Sequence, residues 1–509
     1  MNNLPLVDPL ILNDLGYKSP PISIGRDSVT FFASSSGYSL VCKSYDPQKF
    51  NLAKLSEDSS TDSYLSKLGY KDHESRYYFN KEAKVFLASE NLSDTNDQFT
   101  PKLIGVNPKT STLYTERVPF VNFRDYYRNG NNRKKKTEEF VDYLVQFHGI
   151  TGRHFKKLYN DVRWGNTVGL RPRLVKEEEK RFLDYLRVIV YRASDEFAEF
   201  LKSQTAKSQI ANEIIKQSKI TKKPRSKNLA INNVINNVIK CFVKDKKFDL
   251  EEFVREFIKI DRKIIYGNSE DFLSKKNNKR DEDIKTLLSL YNEGVVSIIH
   301  GDFNFQNVFH LPEELREKRK VLLCDPDEMR VAAREVDVVS AIYNIDNSPR
   351  GAGEEMAAFE LLAGYVEGVN SEEGIRLDWN KFPVRCFETR LKECIRMFAV
   401  DCRMPLQKIK SFAEGLPHFE EIDEKSLQDK FLEEMFVKNF QHFSDYILGE
   451  GWGYIHNGSN ANLLRKQVEN VNDFFLKTGV VSEITAKAKR RGRFKNLEEL
   501  ARILMEKKS

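Results

Sequence analysis

His300-Gly301-Asp302-Phe303-Asn304-Phe305-Gln306-Asn307 is the stretch on which the reading of this chain turns. It follows the apolar run Val295-Val296-Ser297-Ile298-Ile299. A second run, Val321-Leu322-Leu323-Cys324, ends at Asp325, 18 residues after Asn307. Short apolar runs bounded by polar residues read as buried strands. Each of the two strands therefore ends at a carboxylate, with an asparagine between them. That pattern suits phosphoryl transfer, which needs a divalent cation held against phosphates and a carboxylate to orient a hydroxyl. Magnesium takes hard oxygen ligands and keeps several waters. The Asp325 carboxylate and the Asn307 amide oxygen fit that demand, which leaves Asp302 as the candidate base.

Composition sets the frame around this motif. A chain of 509 residues corresponds to about three domains at roughly 150 residues each and can bury a core without disulfides or metals. The 35 phenylalanines and the 11 % aromatic content exclude a wholly disordered chain. The 82 basic and 75 acidic residues leave +7, too modest for this length to argue for a nucleic-acid binder. Six cysteines form no C-x-x-C pair and no zinc-spaced cluster with histidine, so they read as free thiols of a reducing cytoplasm. No run approaches the roughly 20 apolar residues that span a bilayer. The start, MNNLPLVDPLILNDLGYKSP, lacks a basic segment ahead of an apolar core, so no secretory signal is expected.

Upstream, residues 20–46 read as a three-stranded antiparallel meander (ISIG, VTFFAS, YSLVCKSY). Phe79, Ala83, Phe86 and Leu87 recur at helical spacing within 77–90. Two more strands flank the Asn107-Pro108 turn. Arg128–Lys136 reads as a basic loop, after which Thr137 offers an N-cap to a helix with Phe140, Leu144 and Phe147 on one side. Residues from about 151 to 290 are long, polar and helical in pattern, as are 350–450.

H-G-D-x-x-x-x-N followed by a strand ending in Asp resembles the aminoglycoside phosphotransferase and choline kinase family, small-molecule kinases of the protein-kinase-like fold. Protein kinases carry H-R-D in the same place. The segment CDPDEMRVAAREVDVVSA resembles the D-P-x…R-E-x-D stretch of the fructosamine kinase branch. The resemblance implies an α+β bilobal fold with an antiparallel-sheet N-lobe and a mainly helical C-lobe. It implies an ATP-dependent kinase that uses Mg²⁺ and acts on a hydroxyl of a small-molecule acceptor. Asp302 is then the catalytic base, Asn307 and Asp325 are metal ligands, and His300 packs and orients the loop. Asp337 anchors that loop. Lys43 in YSLVCKSY takes the phosphate-binding lysine position, Glu82 pairs with it, and Glu116 to Val118 offer backbone groups to adenine. His148 takes the histidine position that ends the helix after the hinge. The glycine-rich loop departs from the pattern: Gly25 stands alone in IGRDSVTFF, so phosphate contacts there fall to Ser28 and backbone N–H groups.

The implied organisation is an N-lobe over 1–118, a C-lobe over 119–452 carrying loop 300–307 and a helical insertion at about 151–290, and a basic tail over 453–509. Between Lys202 and Lys227, eight basic residues face one acid, Glu213, which equals the whole +7 surplus. This segment reads as a solvated insertion, with contact to an anionic partner as the alternative. It holds no aromatic residue, which argues against a stacking platform for single-stranded nucleic acid. The tail stretch KAKRRGRFK adds six basic residues. Glu354, Glu355, Glu388 and Asp401 read as helix-surface charges, a cationic acceptor being the alternative. Two rival functions are a kinase-shaped scaffold that binds a partner through its basic insertion and tail, and an atypical protein kinase. The intact set Lys43, Glu82, Asp302, Asn307 and Asp325 speaks against the first. The missing A-P-E segment speaks against the second.

Overall fold

A computed structural model describes residues 5–9, 16–24, 28–35, 38–45, 72–129, 132–164, 167–220, 227–267, 280–346, 361, 363–369, 372–378, 381–404, 406, 409, 424–448 and 459–480. The strands are β1 (Gly16–Ile24), β2 (Val29–Ser35), β3 (Tyr38–Ser44), β4 (Leu103–Asn107), β5 (Thr112–Glu116), β6 (Arg163–Trp164), β7 (Thr167–Val168), β8 (Ser297–Ile299) and β9 (Arg330–Ala332). The first helices are α1 (Asp72–Glu90), α2 (Phe123–Arg128), α3 (Arg133–Arg153) and α4 (Phe155–Asp161). Next come α5 (Val175–Ala193), α6 (Asp195–Lys202), α7 (Gln204–Ile220), α8 (Lys227–Asp245) and α9 (Leu250–Tyr266). The last are α10 (Arg280–Asn292), α11 (Glu313–Arg316), α12 (Glu335–Asp346), α13 (Phe382–Cys402), α14 (Glu424–Phe436), α15 (His442–Leu448) and α16 (Ser459–Lys477). The chain divides into two compact units. One comprises residues 1–172, 281–344 and 363–376, the other 173–280, 345–362 and 377–509.

The first unit is α+β. Its sheet has five antiparallel strands in the order β1-β2-β3-β5-β4, so the expected meander and the two later strands form one surface. Side chains alternate across a strand, which sets Lys43 and Tyr45 on one face of β3. Helix α1 covers that face. Phe79, Ala83 and Phe86 are buried with Tyr45, Leu103, Val106 and Leu113. Glu82 falls inside the same helical stripe, because positions 79, 82, 83 and 86 share one side of a 3.6-residue helix. A carboxylate is thereby carried into an otherwise apolar contact.

The helical part of this unit is built on aromatic packing. Phe303 and Phe305, two residues apart in the loop, both meet the Phe140 ring, at 5.3 and 4.5 Å between centroids. Phe123 at the start of α2 meets Phe305 at 5.4 Å, and Phe147 meets Phe303 at 6.0 Å. Such pairs add about 0.5–1.5 kcal/mol each beyond their burial. Two local expectations change. Helix α3 begins at Arg133, not after Thr137, because Asn132 in a left-handed conformation accepts from Lys135 N and caps it five residues early. Val321–Leu323 is buried but makes one bridge, Leu323 with Val308, and no ladder. The ladder partner of β8 is β9, pairing Ser297 with Ala332 and Ile299 with Arg330.

The second unit is helical in its described residues. Helices α5, α9, α13 and α16 pack against one another around Phe182, Phe257, Leu391 and Val468. Lys202, Lys207 and Lys216 of the basic segment are exposed on α6 and α7, whereas Lys222, Lys223 and Arg225 lie outside the described residues, as does KAKRRGRFK. None of the described helices is long and apolar enough to cross a membrane.

The bundle interior is polar at one level. Arg262 on α9 pairs with Glu178 on α5 at 2.8 Å. Lys392 on α13 pairs with Asp261 on α9 at 2.9 Å. Gln467 on α16 donates to Phe257 O at 2.9 Å and to Glu388 Oε1 at 3.3 Å. Glu388 and Asp401 are therefore interior groups, not the surface charges expected. The two neighbouring carboxyls Asp261 and Glu388 each keep one oxygen without a donor among the described residues, which a proton shared between them satisfies. Burial and the Asp261 charge hold the Glu388 carboxyl well above the usual range, against the pull of Lys392. The folded chain thus keeps a proton that the unfolded chain gives up above about pH 4.3. Stability supplied by this group is full below that pH and is lost as the pH rises. Glu388→Gln mimics the protonated form, so its thermal midpoint should exceed that of the wild type at pH 8, with the gap closing toward pH 5. A variant less stable than wild type at pH 8 contradicts this assignment.

Candidate active site

Lys43 sits next to the C-terminal end of β3, paired in register with Thr30 on β2 and Leu113 on β5, so its backbone is fixed on both sides. Its ammonium is 2.8 Å from Glu82 Oε2 on α1 and forms an ion pair with Asp325 Oδ1. It also lies 5.0 Å from the centre of the Tyr45 ring. The Tyr45 hydroxyl donates to the same Glu82 oxygen. Burial alone would lower the Lys43 ammonium, but Asp325 and Glu82 hold it well above its ordinary range. Burial raises the Glu82 carboxyl and Lys43 pulls it back only in part. The pairing expected between Lys43 and Glu82 is present, and Asp325 joins it.

Asp325 and Asp327 are driven in opposite directions. Burial would raise Asp325, but the charge of Lys43 and its hydrogen bond keep that carboxyl below the usual range. Burial and the Asp325 charge push Asp327 well above it. Two carboxyls in one turn with separated affinities for a proton allow one to stay ionised while its neighbour stays neutral. Asp325 also holds a left-handed backbone conformation, φ 59°, just before Pro326. Proline disfavours a helical conformation in the preceding residue, so this conformation is stored strain of the order of 1–3 kcal/mol. The buried Lys81 donates to Asp327 O at 2.5 Å and ties the turn to α1.

Loop 300–307 is held from several sides. Asp337, fully buried at the start of α12, accepts from His300 N at 2.7 Å and from Gly301 N at 2.8 Å. His148 Nε2 lies 3.2 Å from the same carboxylate, and His148 Nδ1 lies 2.7 Å from the Tyr365 hydroxyl. Burial would raise Asp337, but the His148 hydrogen bond and charge bring it below its ordinary value, while burial lowers His148. His148 then donates from Nε2 and accepts the Tyr365 proton at Nδ1. Gly301 has φ +83°, and a Cβ there would meet the Arg330 guanidinium and Glu328 O. His300 Nε2 reaches Cys324 O at 3.0 Å, and Cys324 N donates to Asn307 O at 2.9 Å. This chain of bonds places Asp325 next to Asn307. Asn304 Oδ1 accepts from Gln306 N at 2.8 Å and Asn307 N at 3.2 Å, closing an Asx turn.

Asn307 Nδ2 donates to Asp302 O at 3.0 Å and to Asp302 Oδ2 at 3.1 Å. Its amide oxygen takes no part in those bonds. Asp325 uses one oxygen on Lys43, and its side chain is 44 % exposed. Two hard oxygens, one of them on an ionised carboxylate, suit a magnesium ion that keeps most of its waters. Among the described residues, no group of three or more His, Cys, Asp or Glu is placed to hold a metal ion.

The remaining sequence-expected residues are more dispersed. Glu116 ends β5, where its N–H donates to Lys102 O at 3.0 Å and its carboxylate accepts from Lys102 N at 2.9 Å. Val118 follows, half-buried, and Arg117 N donates to Ser39 O at 2.9 Å. Ser28 lies half-buried immediately before β2, and Gly25 lies outside the described residues. Sequence reasoning missed Tyr45, Lys81, Asn304 and Tyr365. The two-residue spacing from Lys43 could have flagged Tyr45.

No family model and no curated protein matches this chain. Solved structures do. The chain is similar to choline kinase from Cryptosporidium parvum Iowa II at 11 % identity, covering 87 % of this chain and 94 % of that one, with a TM-score of 0.37. It is similar to amicoumacin kinase in complex with AMP-PNP, Ca²⁺ and Ami at 9 % identity, with 85 % and 90 % coverage and a TM-score of 0.40. It is similar to spectinomycin phosphotransferase in complex with ADP and spectinomycin at 13 % identity, with 90 % and 93 % coverage and a TM-score of 0.32. The α+β fold stands on the five-stranded sheet, its covering helix and the helical part that carries loop 300–307.

Asp337→Ala leaves two backbone donors, the one on His300 buried, and His148 without their acceptor. It should cost about 3–5 kcal/mol of stability, read as a lower urea midpoint at pH 7. A loss under about 1 kcal/mol would remove Asp337 as the anchor of the loop.

Proposed function

We propose that this protein is an ATP-dependent phosphotransferase that moves the γ-phosphate to a hydroxyl of a small-molecule acceptor. The observation that carries the reading is the Lys43 ammonium held between Glu82 on a helix and Asp325 beside Asn307, with Asp302 hydrogen-bonded to that same Asn307. In this reading Lys43 binds the α- and β-phosphates, and Glu82, fixed by Tyr45, keeps the ammonium in place. Asp302 orients the acceptor hydroxyl and takes its proton as the bond to phosphorus forms. Asn307 and Asp325 would hold Mg²⁺, which when bound supplies neutralisation of the phosphate charge. Glu116 to Val118 would offer backbone groups to adenine, with Gly25, Ser28 and nearby N–H groups toward the phosphates. The acceptor is sought by a phosphoryl-transfer screen over a metabolite library, reading both ADP release and phosphorylated product.

Two measurements bear on the proposal separately. With an acceptor in hand, Asp302→Asn should lower kcat by about 10²–10⁴-fold while leaving nucleotide binding in place. Equal rates for variant and wild type exclude Asp302 as the base. Mg-ATP at 100 times its Kd should add about 2.7 kcal/mol to stability. Thermal-shift titration should show this only with magnesium present and should lose it in Asp325→Ala. A magnesium-independent shift that survives in Asp325→Ala counts against the metal role of Asp325.

A further inference from the structure

The second unit contains a cavity of about 310 Å³ between α5, the end of α8 and the start of α9. Its floor is apolar. Ile239, Val243 and Leu250 are buried there, with Leu183 and Phe248 half-buried beside them. Its rim is cationic, carrying Arg187, Lys240, Lys244 and Lys247 against the two acids Asp249 and Glu251. Both acids are already engaged. Asp249 caps α9 by accepting from Glu251 N at 2.9 Å and Glu252 N at 3.0 Å. Glu251 pairs with Lys240 at 2.9 Å and lies 4.0 Å from Arg187. Lys244 and Lys247 have no ion-pair partner among the described residues. The cavity therefore joins an apolar floor to two uncompensated ammonium groups.

Lys247 adds a second observation. It occupies the left-handed position that ends α8, φ 55°. There its N–H donates to Lys244 O at 2.9 Å, and Phe248 N donates to Val243 O at 3.2 Å. Glycine is the residue that helix ends of this type favour, because it carries no Cβ to clash. The sequence instead keeps a long cation in a strained backbone conformation, on the rim of a cavity.

We propose that this cavity binds a small amphipathic anion, with the apolar body on Ile239, Val243 and Leu250 and the anionic head between Lys244 and Lys247. At about 30 Å³ for each non-hydrogen atom the space holds about ten of them, the size of an eight-carbon carboxylate or a short alkyl phosphate. Both carry the chemistry that the rim recognises. The site lies wholly within the second unit and is independent of the reaction proposed for the first.

Isothermal titration of the full chain with octanoate, hexyl phosphate and 1-octanol tests this. At least one of the two anions should bind saturably at one site. The neutral alcohol should bind at least tenfold more weakly, and affinity should fall as salt is raised. Whichever anion binds more tightly identifies the head group. Lys244→Glu should weaken binding at least tenfold. Lys247→Gly should weaken it as well while raising the thermal midpoint, because the strain is relieved as the charge is removed. The proposal is overturned by no saturable binding of either anion, by octanol binding as tightly as octanoate, or by both variants binding within twofold of the wild type.

Discussion

The Asp337 carboxylate has no access to solvent, and loop 300–307 depends on it. It accepts from two consecutive backbone N–H groups, His300 and Gly301, and meets His148, which is itself bonded to Tyr365. An ionised carboxylate buried without partners would cost several kcal/mol, so its donors must stay where they are for it to remain charged. The loop is therefore held by electrostatics from below and by Phe303 and Phe305 packing on Phe140 from the side. Asp302 inherits its position from both.

Charge in the rest of the site is arranged around Lys43. Glu82 reaches it from α1 and Asp325 from the turn before Pro326, so one ammonium compensates two carboxylates contributed by distant parts of the chain. Asp327, two residues further on, has no comparable cation and is driven toward its neutral form. Identical side chains so acquire different charge states from their neighbours alone. Tyr45 and Lys81 complete the cluster. One donates to Glu82, and the other ties down the backbone at Asp327.

Much of this was legible in the sequence, and what was not has physical causes. H-G-D-x-x-x-x-N and the strand-borne Lys43 are local patterns, and the meander and α1 follow from local periodicity. The early start of α3 was hidden because Asn132 caps in a left-handed conformation that sequence spacing does not display. The run Val321–Asp325 looked like a ladder strand because burial alone makes a run apolar. The ladder belongs to Arg330–Ala332, only three residues long. Glu388 was read as a surface charge, although it shares a helical stripe with Val384, Leu391 and Ile395, all buried in the structure. The four-residue spacing from Val384 was the available signal. Tyr365 was invisible because its partner His148 is 217 residues away.

The pairing of β8 with β9 has a consequence for how the site opens. Asp302, Asn307 and Asp325 all lie between Ile299 and Arg330, the innermost pair of a ladder only three pairs long. The proposed base and both proposed metal ligands thus belong to one excursion of the chain, closed at its neck by this short seam. A fluctuation that parts the seam alone leaves them held, because Asp337 binds His300 and Gly301, α2 donates to Phe305 O and Val308 O, and Lys43 holds Asp325. Opening of the seam and loss of the candidate site are therefore separate events, the second requiring release of these anchors as well.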